Sequence, residues 1–451
     1  MIISVDCGIT SIACAELCRE LGVSLVITDH HTIDESLPDA DAIVHPRLPG
    51  TTYPFGELCG AGVAFKLAWA LCQKICGAKK VTEPMRRFLM QSLSLAAIGT
   101  VADVVPLVDE NRILVSHGLR MLAAEPSPGL AELMKVAKLT ENMTLNTESI
   151  AFSLAPRLNA AGRLGQAQLG VELLTAPAGE RAQSLAEYID ELNKNRDSLQ
   201  RSVMLAAQKQ AKEQFDTEND PALVLAGVGW HQGVIGVVAG RLSDKYGKPV
   251  IILSMDASGK GDAVGSGRAG PTTINLYDAM SECSDRLSRF GGHRAAAGLS
   301  IDERQIDAFR EEFCEAVSQQ IADSDAEPEI IIDAEASFGQ LSLNTVKQIE
   351  TMEPFGEGNP RPVLLCQDVM LAEPARRMGS GDRHLTVRLD QGGKVVRGVA
   401  FGEGDWCEEL NDHSGPIQVA YRPVINEFGG YRRVEVHIVD WRPSLARQTV
   451  G

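Results

Sequence analysis

Residues 2–31, IISVDCGITSIACAELCRELGVSLVITDHH, decide the fold class. The run Ile2-Ile3-Ser4-Val5 is short and apolar and ends at Asp6-Cys7-Gly8. Thr10 or Ser11 can cap a helix that reaches Leu21 and stops at Gly22. A second β-rich run, Val23 to Ile27, ends at Thr28-Asp29-His30-His31, and a third, Asp41 to Val44, ends at His45-Pro46. Alternation at this spacing predicts βαβ units and a parallel sheet, the α/β class. In such sheets ligands bind beyond the carboxyl ends of the strands, where Asp6 and Asp29, His30 and His31 are expected.

Working outward, residues 178–215 hold no proline, and their only glycine is Gly179. Leu185, Ile189, Leu192, Leu199 and Val203 follow helical spacing, so one long helix of about 50 Å is expected as a connector between domains. Asn219-Asp220-Pro221 breaks it, and a new α/β region starts at Ala222-Leu223-Val224-Leu225-Ala226. A helix around 233–246 and a β-run from Pro249 to Ser254 follow, then a glycine-punctuated stretch leading to Phe290-Gly291-Gly292-His293. From about residue 325 short strands are expected near 329–334, 363–371, 384–389, 394–401, 417–425 and 431–441. Gly392-Gly393 and Gly429-Gly430 are the turn signals, and a small OB-like β-barrel is the expected architecture.

Composition narrows the class. The 451 residues are 44% hydrophobic and 23% charged, an ordinary globular balance. No apolar run approaches the ~18 residues that a membrane span needs. Ten cysteines occur without a Cys-x-x-Cys pair, so a zinc finger and a disulfide scaffold are excluded and a reduced, cytoplasmic location is expected. The net charge of −17 is largely local: residues 301–360 hold 15 acids and three bases, whereas 361–451 hold 12 of each. A polyanionic partner elsewhere on the surface is therefore compatible with the overall acidity.

Asp29-His30-His31 is the sharpest chemical signal. Imidazole and carboxylate together suit Mn²⁺ or Mg²⁺ engaged with phosphate oxygens, although a polar corner with a capping Asp would read the same way. Asp6 ends the adjacent strand and should face the same crevice as His30. Asp103 lies in the apolar segment Ala97 to Leu107, where a carboxylate is costly unless paired or metal-bound. Asp6, His30 and Asp103 are expected to end segments at one edge of the parallel sheet and to converge on a divalent ion. Arg157 and Arg163 flank a small-residue loop and Arg268 lies in a Gly-rich turn, positions that suit bidentate phosphate contacts. Gly291-Gly292 before His293 would let backbone N–H groups and an imidazole surround an anion. Tyr431-Arg432-Arg433 and Trp441-Arg442 could stack on single-stranded bases, or could serve hairpin packing.

Val5-Asp6-Cys7-Gly8, Thr28-Asp29-His30-His31 and Gly99-Thr100-Val101-Ala102-Asp103 resemble, in order and spacing, motifs II, III and IV of the DHH phosphoesterases. Within that superfamily the chain is similar over almost its whole length to the RecJ family of bacterial single-strand-specific 5′→3′ DNA exonucleases. Ala155-Pro156-Arg157-Leu158-Asn159-Ala160-Ala161-Gly162-Arg163 resembles the next family motif. Gly265-Ser266-Gly267-Arg268 and Phe290-Gly291-Gly292-His293 resemble the phosphate-binding loops of the accessory DHHA1 domain.

The resemblance implies a DHH domain over 1–177, a linker helix over 178–218, a DHHA1 domain over 219–322 and an OB-like nucleic-acid-binding domain over 325–445. It implies Asp6, Asp29, His30, His31 and Asp103 as catalytic residues, with Asp6, His30 and Asp103 on metal. His31, Arg157, Asn159, Arg163, Arg268, Gly291, Gly292 and His293 are implied on substrate. The implied activity is metal-dependent phosphodiester hydrolysis of single-stranded DNA in repair and recombination. Two Mn²⁺ or Mg²⁺ ions would serve it, and single-strand-binding protein and a RecQ-type helicase would be partners.

Family members also carry an earlier Asp-x-Asp loop with a nearby His on a preceding strand, and no residue precedes Met1 here. A truncated DHH domain is therefore expected, in which Asp6 bridges the two ions, one ion keeps three of four protein ligands and the other keeps only Asp6. Such a chain is expected to bind single-stranded DNA and degrade it poorly. Two other readings share the fold. A small-substrate DHH phosphodiesterase for oligoribonucleotides or cyclic dinucleotides would not need the barrel after residue 325. A non-catalytic single-strand-binding scaffold would need no complete site.

Overall fold

A computed structural model describes residues 1–139, 144–256, 261–322, 329–379, 381–428 and 431–444. The chain divides into two compact units: Met1–Pro126 with Thr144–Ala151 and Ile330–Gly451, and Ser127–Met143 with Phe152–Glu329.

The first unit opens with β1 (Ile2–Val5), α1 (Ile12–Glu20), β2 (Leu25–Thr28) and β3 (Ala42–Val44). All three strands are parallel in the order β1-β2-β3, with Ile2 opposite Leu25 and Val26 opposite Ala42. Ile27 is buried in the centre of this sheet, whereas Ile2, Ile3 and Val5 on the β1 edge are about half exposed. Helices α2 (Gly60–Cys76), α3 (Glu83–Ala102) and α4 (Asp109–Ala124) follow, with α3 packed on both neighbours. The apolar segment around Ala97 is the buried last turns of α3 and not a strand, so Asp103 is the residue that ends a helix. A short apolar run reads alike in a buried helix and a buried strand, and the 20-residue length of α3 settles it.

In the second unit come α5 (Pro128–Val136), α6 (Ala155–Arg163), α7 (Ala167–Thr175) and α8 (Glu180–Gln214), the 35-residue helix that the apolar spacing predicts. Then follow β4 (Leu223–Val228), α9 (Gln232–Tyr246), β5 (Val250–Met255), β6 (Asp262–Arg268), α10 (Leu276–Glu282), β7 (Arg289–Gly292), β8 (Ala296–Asp302) and α11 (Ile306–Ala322). The strands form one mixed sheet in the order β4-β5-β6-β8-β7. Strand alternation gives it two buried faces. Leu223, Leu225, Val250 and Ile252 pack with α8 and α9, while Val224, Ile251 and Leu253 pack with α10 and α11.

The chain then returns to the first unit with β9 (Ala334–Glu335), α12 (Leu343–Glu350), β10 (Leu364–Met378), β11 (His384–Gln391), β12 (Lys394–Ala400), α13 (Trp406–Asp412), β13 (Ile417–Phe428) and β14 (Tyr431–Pro443). Strand β10 pairs with both β11 and β13, and β12 pairs in parallel with β14, which closes a five-stranded barrel. That order is the OB topology. Gly392 and Gly393 make the expected turn with positive φ, and the Gly429-Gly430 turn lies outside the described residues. Leu107 N donates to Glu357 O at 2.7 Å and Thr147 Oγ1 to Phe355 O at 2.7 Å, tying the segment before the barrel to the helices of the same unit. No helix among the described residues is long and apolar enough to cross a membrane.

Candidate functional site

Asp6 and His30 follow adjacent parallel strands, and each is placed by a specific turn. Asp6 N continues the β1–β2 ladder by donating to Thr28 O at 2.9 Å, after which Asp6 turns at φ +64°. Left-handed backbone is uncommon outside glycine and tolerated by Asp. Val104, beside Asp103, also has φ +58°, which is a real outlier for a β-branched residue. Both carboxylates therefore flank or occupy strained backbone that the surrounding packing holds in place.

The three side chains meet. His30 Nε2 lies 3.1 Å from Asp6 Oδ1 and 3.5 Å from Asp103 Oδ2. Despite that proximity Nε2 is buried and makes no aligned hydrogen bond. Asp6, His30 and His31 also offer one ligand atom each within 4.8 Å of one another. Burial raises the Asp103 carboxyl above its ordinary value; His30 opposes that rise and Asp6 adds to it. A buried nitrogen without an aligned hydrogen bond, facing two carboxylates, is a donor set that a divalent cation satisfies. The residues present fit Mn²⁺ or Mg²⁺.

Asp29 has a different part. Its side chain is 1% exposed and accepts from Ile9 N at 2.9 Å, His30 N at 2.8 Å and His31 Nδ1 at 2.7 Å. Burial acts to raise its pKa, but these donors outweigh it and hold the carboxyl below the ordinary range. Asp29 thus fixes the loop and the tautomer of His31 instead of facing the cluster. Two residues in the same frame escaped the sequence reading. His45 Nε2 donates to His31 O at 2.8 Å while its Nδ1 accepts from Arg47 N, and Arg47 Nη2 donates to His30 O at 3.0 Å. Their only sequence signal was the strand end at His45-Pro46.

The remaining candidates belong to the second unit. Arg157 is clamped: Nε donates to Asp190 Oδ1 at 2.8 Å and Nη1 to Ser153 O at 2.7 Å, and Lys194 Nζ holds the other Asp190 oxygen at 2.7 Å. Asn159 on α6 is exposed. Arg163 Nη1 donates to Gly233 O at 3.1 Å at the first turn of α9, and Arg268 Nη1 donates to Ser266 Oγ and Gly267 O. Burial and then repulsion from Arg196 lower the Arg163 pKa; burial and then Arg163 lower that of Arg268. Neither guanidinium can shed its proton in practice, so the cluster is a place where an anion is favoured. Gly291 and Gly292 lie on the edge strand β7 and His293 is exposed just beyond it.

On the barrel, Arg388, Lys394, Arg397, Tyr431, Arg432 and Arg433 line a groove of about 980 Å³. Tyr431 is 70% exposed with the Arg433 guanidinium 6.0 Å from its ring centre. Trp441 packs against the barrel core and Arg442 Nε donates to Gln418 Oε1 at 2.7 Å, so that pair serves packing.

Three family models match in order: the DHH family N-terminal domain over residues 1–100, the DHHA1 domain over 219–319 and the RecJ OB domain over 332–440. The single-stranded-DNA-specific exonuclease RecJ of Bacillus subtilis (strain 168) is 36% identical over 98% of this chain and 53% of its own length. The chain thus spans about half the length of that relative. RecJ of Dickeya dadantii (strain 3937) is 35% identical over 97% of this chain and 76% of its own length. The crystal structure of RecJ in complex with Mn²⁺ from Thermus thermophilus superimposes with a TM-score of 0.79 at 32% identity. That match covers 98% of this chain and 62% of the other. The Mg²⁺ complex of RecJ from the same organism gives 0.75 at 31% identity, over 98% and 61%. With motifs, barrel topology and whole-chain similarity in agreement, the chain belongs to the RecJ family of DHH phosphoesterases.

Proposed function

We propose that the protein is a metal-dependent exonuclease of the RecJ type, removing nucleotides from the 5′ end of single-stranded DNA. The observation that carries this reading is His30 Nε2, buried and without an aligned partner between Asp6 and Asp103, in a chain of this family. Asp6, His30 and Asp103, with His31 alongside, would hold Mn²⁺ or Mg²⁺, the ions in the Thermus relatives. Such an ion, when bound, lowers the pKa of its water and neutralises charge on phosphate oxygens. Asp29 keeps the His31 ring oriented, Arg163 and Arg268 take backbone phosphates, and the barrel groove takes bases on Tyr431. Arg157, Asn159, Gly291, Gly292 and His293 stay within the proposed substrate set, Arg157 acting from its clamp on Asp190.

The functional division 1–177, 178–218, 219–322 and 325–445 belongs to the same proposal, as do single-strand-binding protein and a RecQ-type helicase as partners. A cytoplasmic location is supported by ten free thiols. The RecJ OB match over 332–440 favours a polynucleotide over a small cyclic or oligoribonucleotide substrate.

The test uses 5′-phosphorylated single-stranded DNA with Mn²⁺. Slow nucleotide release is expected from the parent chain, in keeping with the poor degradation expected of it, and none from Asp103→Ala or in EDTA. Mn²⁺ and DNA binding without release would reject the enzymatic reading and leave a single-strand-binding protein.

A further inference from the structure

We infer that Gly60 is a positioning residue of the metal centre, because the side chain it lacks is the space that Asp6 occupies. The inference rests on the reading of Asp6 as a metal ligand. Gly60 is the first residue of α2, after the N-cap Cys59. A Cβ on Gly60 would lie 2.1 Å from Asp6 Oδ1, 2.5 Å from its Cγ and 2.6 Å from its Cβ. Rotation of χ1 could move the carboxylate away but leaves the Asp6 Cβ where it is. Any side chain at position 60 must therefore move the backbone of one segment or the other.

The surroundings resist that movement. Asp6 sits in a left-handed turn at φ +64°, fixed on one side by its hydrogen bond to Thr28 O. On the other side the first turn of α2 is pinned to the end of α3. Cys59 Sγ lies 3.4 Å from Thr100 Oγ1, and Gly99 has no room for a side chain against Ala61 Cβ, which a Cβ would meet at 2.4 Å. One turn of helix thus touches both ligand-bearing segments, Asp6 directly and Asp103 through the last turn of α3. A carboxylate against the first turn of a 17-residue helix is also favoured by the helix dipole.

Four chains test this: the parent, Gly60→Ala, Gly62→Ala and the double variant Asp6→Gly/Gly60→Ala. Gly62 is two residues along the same helix, and a Cβ there makes only ordinary contacts, the nearest at 3.4 Å to Leu58 Cδ2. Calorimetric titration with Mn²⁺ should show about tenfold or greater weakening in Gly60→Ala, the size of effect typical of residues that orient ligands, and no change in Gly62→Ala. Asp6→Gly removes the clashing Cβ and suits φ +64°, so the double variant should melt, without metal, above Gly60→Ala alone. Unchanged Mn²⁺ affinity in Gly60→Ala overturns the inference, as does a double variant no more stable than Gly60→Ala. If Gly60→Ala does not fold, recovery of a folded chain in the double variant carries the same decision. A parent that takes up no Mn²⁺ overturns the metal reading alone, and the contact then stands or falls on the melting comparison.

Discussion

The side chains of Asp29 and His31 are joined, His31 Nδ1 donating to Asp29 Oδ1 at 2.7 Å, although both residues belong to one three-residue motif. The same buried carboxylate also accepts from the backbone of Ile9, His30 and His31. Asp29 is therefore the acceptor around which the motif is folded, and the two histidines are what the motif presents. Asp29→Asn replaces one acceptor oxygen by a donor that faces other donors. A loss of about 1–3 kcal/mol in urea unfolding is expected, the penalty for leaving buried donors unmet. Mn²⁺ affinity should fall together with stability. Full stability in the variant would show that the loop does not depend on this carboxylate.

Asp190 plays a comparable part in the second unit. It is 7% exposed, and Arg157 and Lys194 occupy its two oxygens. Burial raises its pKa, but the two cations prevail and the carboxyl sits below its ordinary value. Its contribution is thus present above the unfolded carboxyl pKa and lost as pH falls through the folded one. Asp190→Asn leaves the largely buried Arg157 uncompensated, for an expected cost of ~3–5 kcal/mol. Lys194→Met, at an exposed partner, should cost under about 1 kcal/mol. Equal effects of the two substitutions would contradict the clamp.

Much of this was legible in the sequence, and the rest was hidden for a definable reason. The parallel strands ending at Asp6 and His30, the helix Glu180–Gln214 and the barrel strands are repetitive local patterns, and each shows in its own few residues. Asp103 was singled out as a carboxylate costly to bury, yet it stands at a helix end with its side chain 42% exposed. That placement was not readable, because an apolar run fits a buried helix and a buried strand equally. The parts played by Gly60 and His45 depend on contacts with segments distant along the chain, and that of Asp29 on Ile9 as well as on its own motif. Nothing beside a glycine in sequence announces that another chain segment lies against it.

His437 on β14 gives a pH signature. Burial lowers its pKa; Glu148 and Glu435 act to raise it, and Arg361 and Arg422 to lower it further. The unfolded chain, with an ordinary histidine near 6.5, then takes up the proton first. Stability should decline as pH falls below about 6.5, by at most ~1.4 kcal/mol per pH unit from this group, until the lowered folded pKa is reached. His45 is lowered by burial as well and contributes with the same sign. In His437→Gln the decline measured by denaturant titration from about pH 7 to 5 should therefore become shallower without vanishing. An identical slope in parent and variant would mean that His437 does not titrate with unfolding.

Binding of single-stranded DNA should separate by salt dependence into two kinds of contact. Arg268, beside Arg163 and a helix N-terminus, is a charge whose repulsion a phosphate would relieve. Each phosphate neutralised releases condensed counterions, so Arg268→Ala should weaken binding and reduce the slope of log affinity against log salt by about 0.7. Tyr431 is uncharged and mostly exposed on the barrel groove, and its ring can stack on a base. Tyr431→Ala should cost about 1–3 kcal/mol of affinity and leave the slope as it was. Arg268 bonds locally through Ser266 and Gly267, so its loss should shift the melting temperature little. Fluorescence anisotropy with a labelled oligonucleotide at several salt concentrations distinguishes the two. An unchanged slope in Arg268→Ala would falsify the phosphate assignment, and a changed slope in Tyr431→Ala would assign that residue to the electrostatic part instead.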